Sequence, residues 1–382
     1  MRVIRPGDTG AAVVEISAIL TGLELLPTGP HPRYDQQVAH AVKTFQQRRG
    51  LSADGLVGPE TWRALDAARW RFGSRPLHHS LSAPLVGDDV RALQERLLEI
   101  GYNAGRADGI YGPDTARAVA QFQREVGLVP DANCGPHTLA ALGRLGRKVV
   151  GGSPQRLRET EKFRQSGPNL VGKTIVVDPG HGGGDTGVTA EHDGNTVTEA
   201  DLVFDLAARL EGRLSAAGMR VHLTRGPRPA APVDDPERAA LANSLHADLL
   251  ISLHIDSHPG PQADGVAAFH FGAATGVTST VGERLAGLVQ REIVIRTGLR
   301  NCGTHGKNWD LLRLTRMPAV RVEVGYLTSP TDRAKLIDPR FRDGVVDAIV
   351  AAVQRMYYPI EHDVPTGSID VRELRALLRS TP

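Results

Sequence analysis

An α/β domain around a mostly parallel sheet, preceded by two small helical modules, is the architecture this sequence predicts. From Lys173 onward, short apolar runs alternate with amphipathic stretches, the pattern of strands joined by helical crossovers. The first 143 residues carry a different signal, an internal duplication. Ala41-Val42, Phe45-Gln46, Gly50-Leu51, Asp54, Gly58-Pro59, Thr61 and Leu65 recur 77 positions later as Ala118-Val119, Phe122-Gln123, Gly127-Leu128, Asp131, Gly135-Pro136, Thr138 and Leu142. Tyr34 and Tyr111 obey the same shift. A fixed offset over so many positions means two copies of one structural unit.

In the second copy Val90, Leu93, Leu97 and Ile100 mark one helical face, and Val119, Phe122 and Val126 another. Asp108-Gly-Ile-Tyr-Gly112 between them reads as a loop. The expected units are therefore residues 1–70 and 81–143. Residues 144–172 mix Gly-Gly-Ser-Pro with Arg-Leu-Arg-Glu-Thr-Glu-Lys, which suits an exposed linker holding one helical turn or two. Residues 173–358 form the α/β domain, with elements at 174–178, 199–215, 221–224, 237–245, 249–254, 266–271, 279–295, 320–326 and 341–357. Val364-Pro-Thr-Gly-Ser-Ile-Asp370 follows the last helix, so 359–382 is expected to be an exposed tail.

Composition sets the class. Of 382 residues 41% are hydrophobic and 23% charged, and 45 basic side chains against 43 acidic ones leave a net charge of +2. So even a balance gives no footprint for nucleic acid. No stretch reaches the ~18 consecutive apolar residues of a membrane span. Met1-Arg-Val-Ile-Arg-Pro-Gly-Asp-Thr-Gly10 lacks the apolar centre of a signal peptide, so a cytoplasmic location is expected, with export the alternative if the start lies elsewhere. Cys134 and Cys302 stand in different units and are expected to be free thiols.

The chemistry gathers in four residues at the ends of strand-like runs or the start of a helix: His181, Glu199, His254 and Glu323. Two imidazoles and a carboxylate leave a fourth tetrahedral position for water, the layout of a catalytic zinc site. A second carboxylate can take that water's proton. Each residue also has a plainer role. Glu199 follows Thr196 by three and suits a capping box. His254 ends an apolar run as a core histidine would, with His258 a competing ligand in the Ser-His-Pro-Gly turn. Glu323 lies with Arg321 on the strand face opposite Val320, Val322 and Val324, which suits an ion pair.

Val177-Asp-Pro-Gly-His-Gly-Gly183, Glu199, Leu223-Thr-Arg225, Arg238, Ala242-Asn243, Ser252-Leu-His-Ile-Asp256 and Pro318-Ala-Val-Arg-Val-Glu-Val-Gly325 stand in the order and spacing of one family. On these motifs residues 173–358 resemble the zinc-dependent N-acetylmuramoyl-L-alanine amidases, which cut the bond between the muramic acid lactyl group and the first alanine of the peptidoglycan stem. The resemblance implies Zn2+ on His181, Glu199 and His254, with Glu323 as general base. Asp256 and Asn243 are then candidates for orienting the imidazoles, while Asp178 and Asp185 brace the Gly-rich loop.

The duplicated modules resemble the three-helix peptidoglycan-binding domains of cell-wall hydrolases, through Asp108-Gly-Ile-Tyr-Gly-Pro113 and Ala118-Val-Ala-Gln-Phe-Gln123. Asp108, Tyr111 and Gln123 are the ligand-binding candidates for peptidoglycan, muropeptide or precursor. Copy one has His31-Pro-Arg-Tyr34 in place of Asp108-Gly-Ile-Tyr111, so copy two is expected to bind better. Cys302 stands where hydrolytic relatives commonly carry a basic residue. With the missing signal peptide and the tail, this resembles the CwlM-type actinobacterial proteins and implies a second role. That role is control of a cytoplasmic enzyme of precursor synthesis, with Thr366 and Ser368 as sites for a Ser/Thr kinase.

Overall fold

Both copies fold as three helices. The computed structural model describes residues 2–27, 29–80, 83–145, 154–229, 231–258, 260, 263–272 and 278–357, with the backbone alone at 154–156 and 158. The tail positions Thr366 and Ser368 lie outside the described residues. The first repeat comprises α1 (Ala11–Gly22), α2 (Gln36–Arg49) and α3 (Pro59–Ala68), and the second α4 (Asp88–Glu99), α5 (Pro113–Glu125) and α6 (Pro136–Arg144). Each helix of the second repeat starts 77 residues after its counterpart. The duplicated apolar positions form the two cores, Phe45 and Leu65 in one, Phe122 and Leu142 in the other. Val126, placed on an apolar face by its spacing, ends α5 and is 38% exposed.

A buried amide ties each loop to its helix. Gln46 Nε2 donates to Asp54, the Leu56 carbonyl and Thr61, while its Oε1 accepts from Gly55 N–H. Gln123 makes the same four bonds with Asp131, Asn133, Thr138 and Ala132. Gln94 makes them again with Asp108, Ile110, Thr115 and Gly109. All donors and acceptors of a buried amide are thereby satisfied. Two of the ligand-binding candidates are buried by this arrangement. Gln123 is 2% exposed and belongs to the knot, and Tyr111 is fully buried, its hydroxyl donating to the Ala132 carbonyl at 2.6 Å.

The segment expected to be a linker with a turn or two of helix contains the 12-residue helix α7 (Pro154–Gln165). So polar a helix is marginal alone, and docking holds it. Glu159 accepts from Thr280 N–H at 3.0 Å and from the Ser279 hydroxyl, and Phe163 stacks on Tyr357 with centroids 5.0 Å apart.

The α/β domain then runs β1 (Thr174–Pro179), β2 (Thr189–His192), β3 (Asn195–Thr198), α8 (Glu199–Ala216), β4 (Arg220–Leu223), α9 (Asp235–Ser244), β5 (Leu249–Asp256), β6 (Val266–Phe271), α10 (Thr280–Thr297), β7 (Asn301–Lys307), α11 (Asp310–Leu314), β8 (Ala319–Tyr326), α12 (Pro330–Ile337) and α13 (Pro339–Tyr357). The sheet order is β4-β1-β5-β8-β6-β7. It is mostly parallel, as expected, except that β6 pairs antiparallel with β8, so β6 and β7 oppose the other four strands. The hairpin β2–β3, strand β7 and helices α11 and α12 had no counterpart in the sequence reading.

Alternation of side chains separates the two faces. Ile175, Val177, Ile251, Leu253, Val320 and Val322 form the large core with α8, α10 and α13. On the other face Val176, Leu250 and Ala319 pack with Ala239, Ala242, Leu311 and Leu312 of α9 and α11. Toward the C-terminal ends of β1, β5 and β8 that second face turns polar, with Asp178, Ser252, His254, Arg321 and Glu323. The repeats dock on this side. Trp309 packs against both the first repeat's core and the smaller core of the sheet. Arg49 pairs with Asp88 between the repeats, Arg63 pairs with Asp310, and Arg313 donates to the Asp108 carbonyl at 3.1 Å. Among the described residues no helix is long and apolar enough to cross a membrane.

Candidate metal and catalytic site

Three elements bring the site together. The chain leaves β1 through Pro179-Gly180-His181, where His181 takes a left-handed backbone, φ 58°. Two arginines hold the turn. Arg225 donates to the carbonyls of Pro179 (2.9 Å) and Gly180 (2.8 Å), and Arg238 to those of Pro179 (2.9 Å) and His181 (2.7 Å). Arg238 also pairs with fully buried Asp178 at 2.6 Å, whose other oxygen accepts from Ser252. Burial works to raise the Asp178 carboxyl, but Arg238, Ser252 and Thr224 hold it below the ordinary range.

Glu199 opens α8. The cap of that helix is Thr198, which accepts from Asp201 N–H at 3.1 Å, so the alternative role of Glu199 in a capping box from Thr196 is not taken up. The Glu199 side chain turns to the histidines instead. Its Oε1 lies 3.1 Å from His181 Nε2 and 3.0 Å from His254 Nδ1, and accepts from Ile255 N–H, while Oε2 accepts from Val188 N–H. Burial would raise this carboxyl, but the two imidazoles hold it far below the ordinary range. His181 is correspondingly raised by Glu199 and Asp185 against the effect of burial. Ligand atoms of His181, Glu199 and His254 all lie within 4.8 Å of one another.

The surroundings leave room for such a group. A Cβ on Gly180 would fall 2.1 Å from the His254 ring, and one on Gly187 2.6 Å from Glu199 Oε2 and 2.8 Å from the His181 ring. The other nitrogen of His181, Nδ1, lies 2.8 Å from Asp185, which fixes the ring's orientation. Glu323 is the register partner of His254 on the adjacent parallel strand, one strand spacing away. It is 6% exposed. The anticipated ion pair is also present: Arg321 Nε and Nη2 reach Glu323 Oε1 at 2.8 and 2.7 Å, and Arg321 lies 4.7 Å under the Trp309 ring.

Residues 175–355 match the N-acetylmuramoyl-L-alanine amidase family, and residues 9–65 and 86–142 each match a peptidoglycan binding domain. The chain is 49% identical to N-acetylmuramoyl-L-alanine amidase CwlM of Mycobacterium tuberculosis, over 98% of this chain and 94% of that protein. It is a hydrolase of the N-acetylmuramoyl-L-alanine amidase family. It is also 31% identical to the probable cell wall amidase LytH of Staphylococcus epidermidis, over 49% of this chain and 60% of that one. Among solved structures, an N-acetylmuramoyl-L-alanine amidase from Clostridium difficile 630 is 31% identical, with a TM-score of 0.44 over 48% of this chain and 96% of that chain.

Two positions expected to orient the amidase's imidazoles do other work. Asn243 bridges the Leu314 carbonyl and Arg316 N–H, pinning the turn before β8. Asp256 accepts from Ser257 N–H and bonds Tyr326, and burial and Glu323 raise its carboxyl. Asp185 meets His181 Nδ1 instead, and Glu199 meets His181 Nε2 and His254 Nδ1. His258 is exposed, with its ring bonded to Gly260, and stands outside the cluster. Arg225 and Arg238 are the clamps that sequence reasoning left without a role. Their only trace was position within the family motifs.

Proposed function

We propose that this chain is a zinc-dependent amidase that hydrolyses the amide between the muramic acid lactyl group and the first L-alanine of peptidoglycan. The convergence of His181, Glu199 and His254 beside Glu323 carries this reading. Two imidazoles and a carboxylate suit zinc, a borderline-soft ion that takes nitrogen and oxygen donors. When bound, zinc polarises the scissile carbonyl and lowers the pKa of a coordinated water. His181 and His254 hold the ligand geometry, with Asp185 orienting the first ring. Glu323, on the neighbouring strand, accepts the water's proton and returns it to the departing alanine nitrogen. Residues 1–70 and 81–143 serve as wall-recognition modules for peptidoglycan or muropeptide, 144–172 as connector, 173–358 as catalytic domain and 359–382 as tail.

The experiment is digestion of purified peptidoglycan with appearance of free alanine amino termini. Glu323→Gln should lower the rate by roughly 10²- to 10⁴-fold at unchanged metal content. Full activity in that variant would remove Glu323 from the reaction.

The Arg321–Glu323 ion pair favours a second reading, because it occupies one oxygen of the general base. In that reading the chain is a cytoplasmic regulator of peptidoglycan precursor synthesis with little or no hydrolase activity, controlled by phosphorylation of the tail at Thr366 or Ser368. Pull-down of a precursor-synthesis enzyme by the full chain, lost without residues 364–382, would support it. Robust cleavage by the wild type with unchanged partners in the truncated form would exclude it.

A further inference from the structure

A groove of about 580 Å³ lies between the second repeat and the α/β domain and shares no lining residue with His181, Glu199, His254 or Glu323. That volume suits a small organic ligand. Its charges are unequal in their freedom. Three acids line it, and each is engaged elsewhere: Asp108 with Gln94 and Ile110 N–H, Asp114 with Arg117, and Glu159 with the start of α10. Three cations line it too, Arg106, Lys162 and Arg316; among the described residues none is within ion-pair distance of a carboxylate, and Arg106 feels Glu159 and Asp108 only at longer range. Arg106 is held in place by its Nη1, which donates to the Leu312 (3.3 Å) and Thr315 (2.6 Å) carbonyls, while its guanidinium lies 4.3 Å from the Phe271 ring centroid. Its Nε and Nη2 are left uncommitted among the described residues. The groove also receives the first turn of α5, whose N-cap is Gly112, with no side-chain cap. Pro113 at its first position has no N–H, so what this uncapped start offers an anion is the partial positive charge and the N–H groups of Asp114 and Thr115.

We propose that this groove binds an organic phosphate, with the phosphate between Arg106, Lys162, Arg316 and the start of α5 and the organic moiety along the remaining volume. A planar guanidinium fixed on one side and open on the other suits the bidentate geometry of a phosphate. The inference is independent of the metal site and of amide hydrolysis.

Titration calorimetry of the full chain at low salt, with pyrophosphate and a nucleoside diphosphate as probes, tests it. One saturable site per chain is expected, with affinity falling as salt rises. The double variant Lys162→Ala/Arg316→Ala, both at exposed side chains, should weaken binding at least tenfold while its melting temperature stays unchanged. Arg106→Gln should weaken it further. His181→Ala should bind as the wild type does, which separates this groove from the metal centre. Citrate, a polycarboxylate of comparable charge, should bind at least tenfold more weakly than pyrophosphate. Absence of saturable binding, unchanged affinity in the double variant, loss of binding in His181→Ala, or equal affinity for citrate would each overturn the proposal.

Discussion

At φ 58° His181 occupies a backbone region that costs a side-chain-bearing residue about 1–2 kcal/mol. Arg225 and Arg238 hold it there through three consecutive carbonyls, Pro179 to His181. The strain serves placement, because it aims the imidazole at Glu199. His181→Gly should therefore leave the metal-free protein at least as stable as the wild type while losing its metal, which thermal melting and metal analysis can check together. Wild-type protein should carry about one zinc per chain, since three protein ligands and one water complete a tetrahedral site. His254→Ala should lose stoichiometric zinc as well. Full loading in both variants would show that the ligand set is wrong.

The start of α8 is the element on which the site depends most. Thr198 caps it, and Glu199, the next residue, is thereby set between the histidines. Thr198→Ala should cost about 1 kcal/mol of stability and lower zinc affinity by loosening Glu199, measurable by competition with a chelator. Within the repeats the glutamine knots are the corresponding device. Gln123→Leu leaves the Ala132 N–H without its partner and should cost roughly 1–3 kcal/mol, seen as selective loss of protection of residues 113–144 in hydrogen exchange. Apolar spacing located α4, α5 and the long helices α8, α10 and α13, because such spacing is a local property. It missed β7 and the β2–β3 hairpin, whose residues are partly exposed and lack an apolar run.

For the whole molecule, the docking of the first repeat carries a titratable group. Glu60 accepts from Asp310 N–H at 3.2 Å, and burial, then the nearby Asp310 and Asp235, pushes its carboxyl up to about 7. A raised carboxyl means the docked state favours the protonated form. Its stabilisation is complete below the ordinary carboxyl value and is lost as pH rises through about 7. Docking should weaken by on the order of 2–3 kcal/mol between pH 5 and pH 8. Glu60→Gln should flatten that dependence, read as equal protease resistance of the 71–80 connection at both pH values. A variant as pH-sensitive as the wild type would exclude Glu60 as the cause.

The sequence by itself determined the two repeats, the alternating α/β domain and the residues His181, Glu199, His254 and Glu323, because duplication, apolar period and motif order are all written along the chain. Tertiary structure decided what those residues meet. Only folding showed that one oxygen of Glu199 meets both histidines while Thr198, not Thr196, caps the helix. It put Asp185 rather than Asn243 or Asp256 on an imidazole, and it buried Tyr111 and Gln123. It also made a groove between the second repeat and the α/β domain, from Arg106 and Arg316, which stand more than two hundred positions apart. Local pattern records propensity and face, whereas hydrogen-bond partners and shared cavities depend on which distant surfaces pack together.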